Sequence, residues 1–296
     1  MNRLAVTVLV LIWGTTWAAI RIGLEGIPPF TGVALRFAIA GALLLALVPV
    51  FKVKLGRSRR EKILWLVNCL LSFSLSYGVV YWAEQRVPSG LAAVLFATFP
   101  LFVAGFGHFW LPGERLTPRG AFGTLVGFVG VAVIFSEDLS RLGGPGVALA
   151  AAVFLISPFV SAIANVATKR WGKDLHPLSI TAVPMVMTAA IMGALAALVE
   201  GDREVIWNGS SIGALLYLSL CGSAITFSLY FWLLNRMPAN RLALITYAVP
   251  VVAVVTGTLF LGETLTARVL AGAALVVAGV ALAATPGRRR LQEDPA

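Results

Sequence analysis

Hydroxyl and amide side chains recur at helical spacing along one apolar stretch of the chain. Ser157, Ser161, Asn165 and Thr168 follow one another at intervals that place them on one face of a helix. Such groups form hydrogen bonds with a small polar solute or with a neighbouring helix, and they are costly in contact with lipid. The spacing therefore predicts either the wall of a solute cavity or a hydrogen-bonded helix contact.

Aromatic residues could complete a cavity of this kind. Trp13, Thr16 and Trp17 share one face of the first apolar segment, with both indoles near its middle. An indole N–H at that depth needs a hydrogen-bond partner, and paired aromatic rings can hold an apolar side chain or an ammonium group. Ordinary packing in the protein core is the alternative interpretation.

The other apolar segments supply further candidates by the same reasoning. All are hydroxyl, amide or aromatic side chains on polar helix faces or beside a central proline. The residues predicted to line a substrate cavity are Trp13, Thr16, Trp17, Ser76, Tyr77, Tyr81, Phe99, Ser157, Ser161, Asn165, Thr226, Tyr230, Thr246 and Tyr247.

Two prolines lie near the middles of corresponding apolar segments. Pro100 and Pro250 each remove one backbone hydrogen bond and are expected to kink their helices. Kinked helices beside Phe99, Thr246 and Tyr247 would suit a gate. A kink without any gating role is the alternative.

Arg36 is the one cation embedded within an apolar segment. Its guanidinium could bind the carboxylate of a substrate. It could instead pair with Glu84 or Glu25 and extend towards the membrane surface, which is the interpretation we prefer from the sequence.

Several kinds of chemistry find no support. His108 and His176 are far apart in sequence and have no acidic or cysteine residue nearby, so neither a metal site nor histidine-based catalysis is expected. The sequence contains no GxxxxGK[ST] phosphate-binding loop. The chain is therefore predicted not to be an enzyme and to use no cofactor.

The carboxylates also restrict the solute. All thirteen lie in connectors, in tails or at the ends of apolar segments. An exporter of lipophilic cations needs a buried carboxylate to neutralise the drug and to exchange it for protons. The sequence thus argues against multidrug efflux and simple carboxylate-based proton antiport, and favours a neutral or zwitterionic solute.

The composition is that of a membrane protein. Of 296 residues, 59% are hydrophobic and 12% are charged, and the mean hydropathy is +0.90. Apolar runs long enough to cross a bilayer predict an all-α polytopic protein with ten transmembrane helices. These are expected at 4–22, 29–50, 63–83, 89–110, 119–136, 146–168, 177–199, 211–234, 239–260 and 267–284.

The cations indicate the orientation. The formal net charge is +10, and most Lys and Arg residues lie in one set of alternate connectors, such as 52–62, and in the tail. Cytoplasmic loops of membrane proteins carry this excess, which places both termini in the cytoplasm, and in a bacterium places the chain in the inner membrane. Because the cations lie in short connectors, binding to nucleic acid is not expected.

The chain contains an internal duplication. Residues 81–88 align with 231–238, Pro100 with Pro250, and the Gly-Glu-x-Leu-Thr turn at 113–117 with that at 262–266. Thr117 and Thr266 are predicted to cap the fifth and tenth helices, with Glu114 and Glu263 as turn residues.

Each copy then contains five membrane crossings. Since five is odd, the second copy must be inverted relative to the first. We expect a first repeat at 1–140, a second, inverted repeat at 141–286, and a basic cytoplasmic tail at 287–296.

The ten segments in two copies, Trp13-Gly14, Arg36 and the paired Gly-Glu-x-Leu-Thr turns resemble the EamA-like branch of the drug/metabolite transporter superfamily. In overall character the chain is most similar to the bacterial aromatic amino acid exporters. The resemblance implies a central cavity among segments 1–4 and 6–9, with segments 5 and 10 at the periphery. Trp13-Gly14 stands where small multidrug exporters of this superfamily carry a glutamate.

These observations predict a secondary carrier that exports amino acids, aromatic or hydrophobic and possibly other neutral ones, by alternating access. Export of a nucleoside, a sugar or a hydrophobic drug is the alternative. The expected partners are the small-molecule substrate and the lipid bilayer. We expect a monomer or a weak homo-oligomer, since Gly123 and Gly127 form only a single GxxxG motif.

Overall fold

The computed structural model describes residues 2–112, 117–136, 142 and 144–283, and for some of these, Tyr247 among them, only the backbone. The described residues form ten apolar helical segments in sequence. They are α1 (Asn2–Leu24), α2 (Pro29–Val50), α3 (Arg59–Glu84), α4 (Ser89–Trp110), α5 (Pro118–Phe135), α6 (Val147–Trp171), α7 (Pro177–Val199), α8 (Gly209–Leu234), α9 (Ala239–Ala243, Leu244–Tyr247 and Ala248–Leu261) and α10 (Ala267–Ala283).

Eight of these helices, α1 to α8, are long and apolar enough to cross a membrane, and α9 and α10 supply shorter apolar helices. The prediction of an all-α polytopic membrane protein is confirmed. Many apolar side chains point outward, for example Leu259 and Phe260, which are 73% and 74% exposed. Outward apolar side chains over so much of the surface are what lipid requires.

Several helices begin earlier than hydropathy indicates because their first turns are polar. The Ser58 side chain accepts a hydrogen bond from the Glu61 N–H at 3.1 Å and so starts α3. Asn208 and Ser211 form a capping box that starts α8. At α5, the expected cap is present: Thr117 accepts from the Gly120 N–H at 3.1 Å, with Pro118 in the first turn.

Five helices are interrupted inside the membrane-spanning length. A π-helical stretch replaces the α-helix at Asn68–Leu75 in α3 and at Leu220–Ile225 in α8, which are corresponding places in the two repeats. Helix α4 breaks at residues 97–98, and α9 passes through a 3-10 turn at Leu244–Tyr247. The fifth interruption, at Leu155 in α6, adds one break to the second repeat alone.

Pro100 lies in the first turn of the second piece of α4, and Pro250 lies in the first turn of the last piece of α9. A proline is well tolerated there because its missing N–H would have had no partner. Where the sequence predicted a kink, each helix is interrupted just before its proline, and the proline stands at the start of the next helical piece.

The packing of the helices is unchanged when the two repeats are exchanged. Helix α1 packs on α9, and its counterpart α6 packs on the corresponding α4. The pairs α2 with α7 and α5 with α10 each consist of counterparts, so they map onto themselves and lie on the pseudo-two-fold axis.

Glycines bring α5 and α10 into close contact. A Cβ atom on Gly130 would lie 2.7 Å from the Gly272 carbonyl oxygen and the Val276 nitrogen, so only glycine permits this approach. Gly127, from the GxxxG motif, likewise faces Gly279 of α10. The motif is used for packing within one chain and gives no support to dimerisation.

Two carboxylates accept hydrogen bonds from the first N–H groups of helices that are distant from them in sequence. Glu263 accepts hydrogen bonds from the N–H groups of Ser89 and Gly90, at 2.8 and 3.0 Å, at the start of α4. Glu200 accepts from the N–H groups of Phe30 and Thr31, at 2.9 and 2.8 Å, at the start of α2. Glu263 was expected to serve its own turn, and this was wrong: it joins the second repeat to the first.

Thr266 caps α10 as predicted: its side chain accepts a hydrogen bond from the Val269 N–H at 3.2 Å. Glu114, the corresponding residue of the first repeat, lies outside the described residues.

A single methyl group should disturb the α5–α10 contact. Gly130→Ala is expected to lower the free energy of unfolding by about 1–3 kcal/mol, because backbone atoms of α10 cannot move aside as a flexible side chain would. Gly105→Ala is the matched control, since nothing lies within 4 Å of a Cβ there. Thermal unfolding in detergent measures both, and equal melting temperatures for the two variants would contradict the packing described.

Candidate functional site

A cavity of about 100 Å³ lies among α1, α2, α3, α4, α6, α8 and α9. It is mainly aromatic and apolar, with a few polar groups. Its lining residues are Trp13, Thr16, Trp17, Ile20, Arg36, Ser72, Ser76, Tyr77, Val80, Phe96, Phe99, Ser161, Asn165, Phe227, Tyr230, Phe231, Thr246 and Val249.

The structure brings most of the predicted cavity residues together. Those that line the cavity are Trp13, Thr16, Trp17, Ser76, Tyr77, Phe99, Ser161, Asn165, Tyr230 and Thr246. Tyr81, Ser157 and Thr226 do not line it, and the side chain of Tyr247 lies outside the described part of the structure. Pro100 and Pro250 are also absent from the lining, although residues beside them contribute to it.

The polar face of α6 divides between the two interpretations that the sequence left open. Ser161 and Asn165 line the cavity. Ser157 shares a hydrogen bond of 2.8 Å with Ser76 of α3, and Thr168 accepts one of 2.9 Å from Asn68 of the same helix. The middle of the face thus meets the cavity, while its two ends hold α6 to α3.

The polar face of α8 divides in a similar way. Tyr230 lines the cavity and accepts a hydrogen bond of 2.6 Å from the Asn165 amide. Thr226 is fully buried outside the cavity, with its hydroxyl unpartnered among the described residues. Ser223 turns to Arg36 instead. The π-helical stretch that ends at Ile225 changes the register of the helix, so these residues do not share one face.

Aromatic rings form two walls of the cavity. The Trp13 ring lies 5.2 Å from that of Tyr230 and 5.8 Å from that of Phe227, measured between ring centres. On the other side, Trp17 lies 5.5 Å from Phe96, which stacks on Phe99 at 5.7 Å. These separations are typical of favourable aromatic pairs and fix the orientation of the rings.

Arg36 is buried at the cavity, and the predicted ion pair is wrong. Its guanidinium donates to the Ser223 hydroxyl at 2.7 Å, the Gly222 carbonyl at 2.9 Å and the Tyr81 hydroxyl at 3.3 Å. It also lies 4.7 Å from the centre of the Tyr77 ring. No carboxylate of the described residues comes within 4.0 Å of it, so its charge is solvated by neutral groups alone.

The contacts of Arg36 explain the π-helical stretch of α8. Gly222 and Ser223 both belong to that stretch, where the helix is locally widened. A Cβ on Gly222 would lie 3.2 Å from the Arg36 guanidinium nitrogen, so a larger residue would crowd the contact. The unusual helix geometry therefore presents a carbonyl and a hydroxyl to a cation in the other repeat.

Three buried polar atoms at the cavity have no partner among the described residues. They are the indole nitrogens of Trp13 and Trp17 and the side-chain oxygen of Asn165. An unpartnered buried donor or acceptor is costly, and such atoms at a cavity mark places where a solute or water can bind. The site thus offers two neutral donors, one acceptor and one cation.

The sequence missed several lining residues. Phe96, Phe227 and Phe231 were passed over because an apolar ring inside an apolar helix carries no distinctive signal. The duplication could have found two of them, since Phe227 aligns with Tyr77 and Phe231 with Tyr81, residues that the sequence did single out. Arg36 was also considered as a carboxylate-binding residue, but the sequence analysis preferred an ion pair with Glu84 or Glu25.

Three of the carboxylates that lie in connectors or at the ends of apolar segments are buried in the structure. Glu61, Glu84 and Glu200 are 2%, 0% and 4% exposed. Within the described ranges there is no group of three His, Cys, Asp or Glu residues that could hold a metal ion.

Comparison with known proteins agrees with this architecture. YoaV of Bacillus subtilis (strain 168), named an uncharacterized transporter, is 28% identical over 278 residues, covering 94% of this chain and 94% of that protein. YedA of Escherichia coli (strain K12), named an uncharacterized inner membrane transporter, is 32% identical over 265 residues, covering 88% of this chain and 83% of that protein.

A crystal structure with 23% sequence identity superposes with a TM-score of 0.73, over 95% of this chain and 96% of that chain, and so shares the fold. The sequence profile of the EamA-like transporter family matches residues 3–136 and again residues 148–285, once in each repeat. Since nearly the whole chain is matched, this multi-pass membrane protein is a transporter and belongs to the EamA-like transporter family.

Proposed function

We propose that this transporter exports amino acids, aromatic or hydrophobic and also other neutral ones, across a bacterial inner membrane with both termini in the cytoplasm. The observation that carries the proposal is Arg36, a cavity-lining cation without a carboxylate within 4.0 Å among the described residues. A cation solvated only by neutral groups is well suited to bind an anionic group of a solute.

The donors around Arg36 support a carboxylate as that group. The two unpartnered indole N–H groups of Trp13 and Trp17 lie in the same cavity and can donate to carboxylate oxygens. A solute carboxylate would then gain hydrogen bonds from the guanidinium and the indoles together, in a mainly apolar cavity where such bonds are stronger than in bulk water.

The remaining groups support an α-amino acid over a simple acid. The unpartnered Asn165 oxygen can accept a hydrogen bond from an ammonium group, and aromatic ring faces attract the same cation. The walls formed by Trp13, Phe227, Phe96 and Phe99 suit an apolar side chain.

The size of the cavity favours a small metabolite over a drug. At about 100 Å³ it is smaller than the roughly 300–1,000 Å³ that drug-sized ligands occupy. A nucleoside or a sugar would leave Arg36 without an anion, which makes these alternatives less well supported by the lining.

Alternating access is supported by the placement of the breaks. The interrupted parts of α4 and α9 contribute Phe96, Phe99, Thr246 and Val249 to the cavity, one pair from each repeat. Breaks at corresponding places allow the two repeats to bend in opposite directions around one site, so Pro100 and Pro250 are proposed as gate positions.

Counterflow into proteoliposomes tests the proposal directly. Vesicles loaded with unlabelled amino acids should accumulate a labelled amino acid only when they contain the protein. No exchange of any amino acid, together with exchange of a sugar or nucleoside, would replace the proposal with its alternative.

Arg36→Gln should remove discrimination in favour of the carboxylate. Inhibition of counterflow by an amino acid is compared with inhibition by its uncharged carboxamide. A charge-assisted hydrogen bond contributes about 1.5–3 kcal/mol, so the wild-type protein should favour the acid by roughly ten-fold or more. In the variant, the ratio of the inhibition constants of the carboxamide and the acid should approach one. Because it is a ratio, it does not depend on expression, and an unchanged preference would contradict the role of Arg36.

Trp17→Phe should raise KM about three- to ten-fold, because it keeps the ring but deletes a donor whose net contribution is about 0.5–1.5 kcal/mol. Trp207→Phe is the matched control, since Trp207 is 56% exposed outside the helices. Concentration-dependent counterflow gives both KM values. Equal KM values would favour a packing role for the Trp17 indole.

Labelling of single cysteines tests the orientation. In a chain with Cys69 and Cys221 replaced by alanine, Lys54→Cys should resist a membrane-impermeant maleimide added to intact cells, whereas Arg203→Cys should react. Both positions are exposed in the structure. Reaction of both or of Lys54→Cys alone would overturn the proposed orientation.

A further inference from the structure

We propose that Glu84 is a proton-binding site that is loaded and unloaded once in each transport cycle, which couples the carrier to proton movement. The coupling rests on the proposed function, whereas the bound proton can be tested without any substrate. The sequence argued against a buried carboxylate, whereas the structure buries Glu61, Glu84 and Glu200.

Glu84 differs from the other carboxylates at helix ends. It is fully buried, and neither of its side-chain oxygens has a hydrogen-bond partner among the described residues. Glu61, Glu200 and Glu263 each accept hydrogen bonds from backbone N–H and side-chain hydroxyl groups. Those three are stabilised as anions, and Glu84 is not.

An ionised carboxylate without partners costs several kcal/mol in a protein interior. The position of Glu84 at the C-terminal end of α3 adds to this cost, because the helix dipole is negative there. The nearby like charge of Glu263 acts in the same direction. In this conformation Glu84 therefore holds a proton.

The surroundings of Glu84 also allow it to ionise when they change. Arg21 of α1 donates to the backbone carbonyl of Glu84, and Arg21 and Arg36 are the cations that act on its carboxyl group. Tyr77 and Tyr81 are the other titratable groups on its own helical piece, Ser76–Glu84. The adjacent pieces Val147–Phe154 of α6 and Ser89–Phe96 of α4 carry no ionisable residue.

Two contacts connect Glu84 with the moving parts of the carrier. One turn before it, Tyr81 accepts a hydrogen bond from Arg36, which lines the cavity. Five residues after it, Ser89 and Gly90 are held by Glu263 from the second repeat. Opening of this end separates the two repeats, admits water to Glu84 and brings Arg21 within reach of its carboxylate.

The proton balance of this step is simple. In the closed state the proton is covalently bound to a Glu84 oxygen. When the end opens, water accepts the proton and the carboxylate is stabilised by water and Arg21. Closing requires that the carboxylate take up a proton again, and the carrier is coupled to the gradient when this proton comes from the opposite solution. A protonation equilibrium that differs between the two states is what couples a carrier to a proton gradient.

Infrared spectroscopy of the reconstituted full-length protein tests the bound proton without substrate. At neutral pH the wild type should show the carbonyl stretch of a protonated carboxylic acid, and Glu84→Gln should lack it. Glu25→Gln, an exposed glutamate that precedes α2, is the matched control and should keep the band. A wild-type spectrum without the band, or a band that survives in Glu84→Gln, would overturn the proposal.

Transport then tests the coupling. The ratio of pH-gradient-driven uptake to counterflow should fall at least about ten-fold in Glu84→Gln, and Glu84→Asp should recover part of it. Proton coupling at this residue would be overturned if wild-type uptake did not depend on the pH gradient. It would also be overturned if the ratio of gradient-driven uptake to counterflow were the same in Glu84→Gln as in the wild type. If no amino acid exchanges in any variant, the proposed function fails, and the infrared spectra still decide whether Glu84 holds a proton.

Discussion

A guanidinium inside a membrane protein must be solvated by the protein itself, and the way Arg36 is solvated organises the centre of this molecule. The group lies on α2 of the first repeat, and two of its three acceptors lie on α8 of the second. Removing either side would leave a buried charge uncompensated, which costs far more than a neutral hydrogen bond. The contact joins the repeats at the place where the cavity forms, so the cohesion of the fold and the chemistry of the site depend on the same residue.

The duplication explains why so short a chain can surround a cavity. Exchange of the repeats leaves the helix pairs unchanged, and each half supplies interrupted helices to the lining, α3 and α4 from the first and α6, α8 and α9 from the second. The local sequences have nevertheless diverged where they meet. Ser72 and Phe73 of the first π-helical stretch align with Gly222 and Ser223 of the second, and only the second pair solvates a cation. The symmetric framework thus holds an asymmetric site.

Helices and most lining residues could be predicted because both follow from periodicity along a single segment. Apolar length gave the helices, and the spacing of Ser161 and Asn165 or of Trp13 and Trp17 gave faces that do meet the cavity. Such arguments fail where a residue depends on a partner that is distant in sequence. Arg36 was predicted to pair with a carboxylate because carboxylates are the usual partners of arginine. Periodicity cannot predict that it donates instead to a carbonyl 186 residues away.

The same limitation applies to the carboxylates. Glu84 and Glu263 both stand at helix ends in the sequence, yet one is unpartnered in the interior and the other joins the two repeats. Burial at a helix end is decided by what packs over it. The π-helical stretches also escaped prediction, since their sequences are as apolar as an ordinary α-helix and their geometry follows from tertiary contacts.

The glycine contact between α5 and α10 bears on how the molecule can deform. At Gly130 and Gly272 the backbones of these helices touch directly, so no side chain there can change rotamer and absorb a displacement. The pair lies on the pseudo-two-fold axis and contributes nothing to the cavity. We therefore expect this pair to move as one rigid unit while the interrupted helices bend around it.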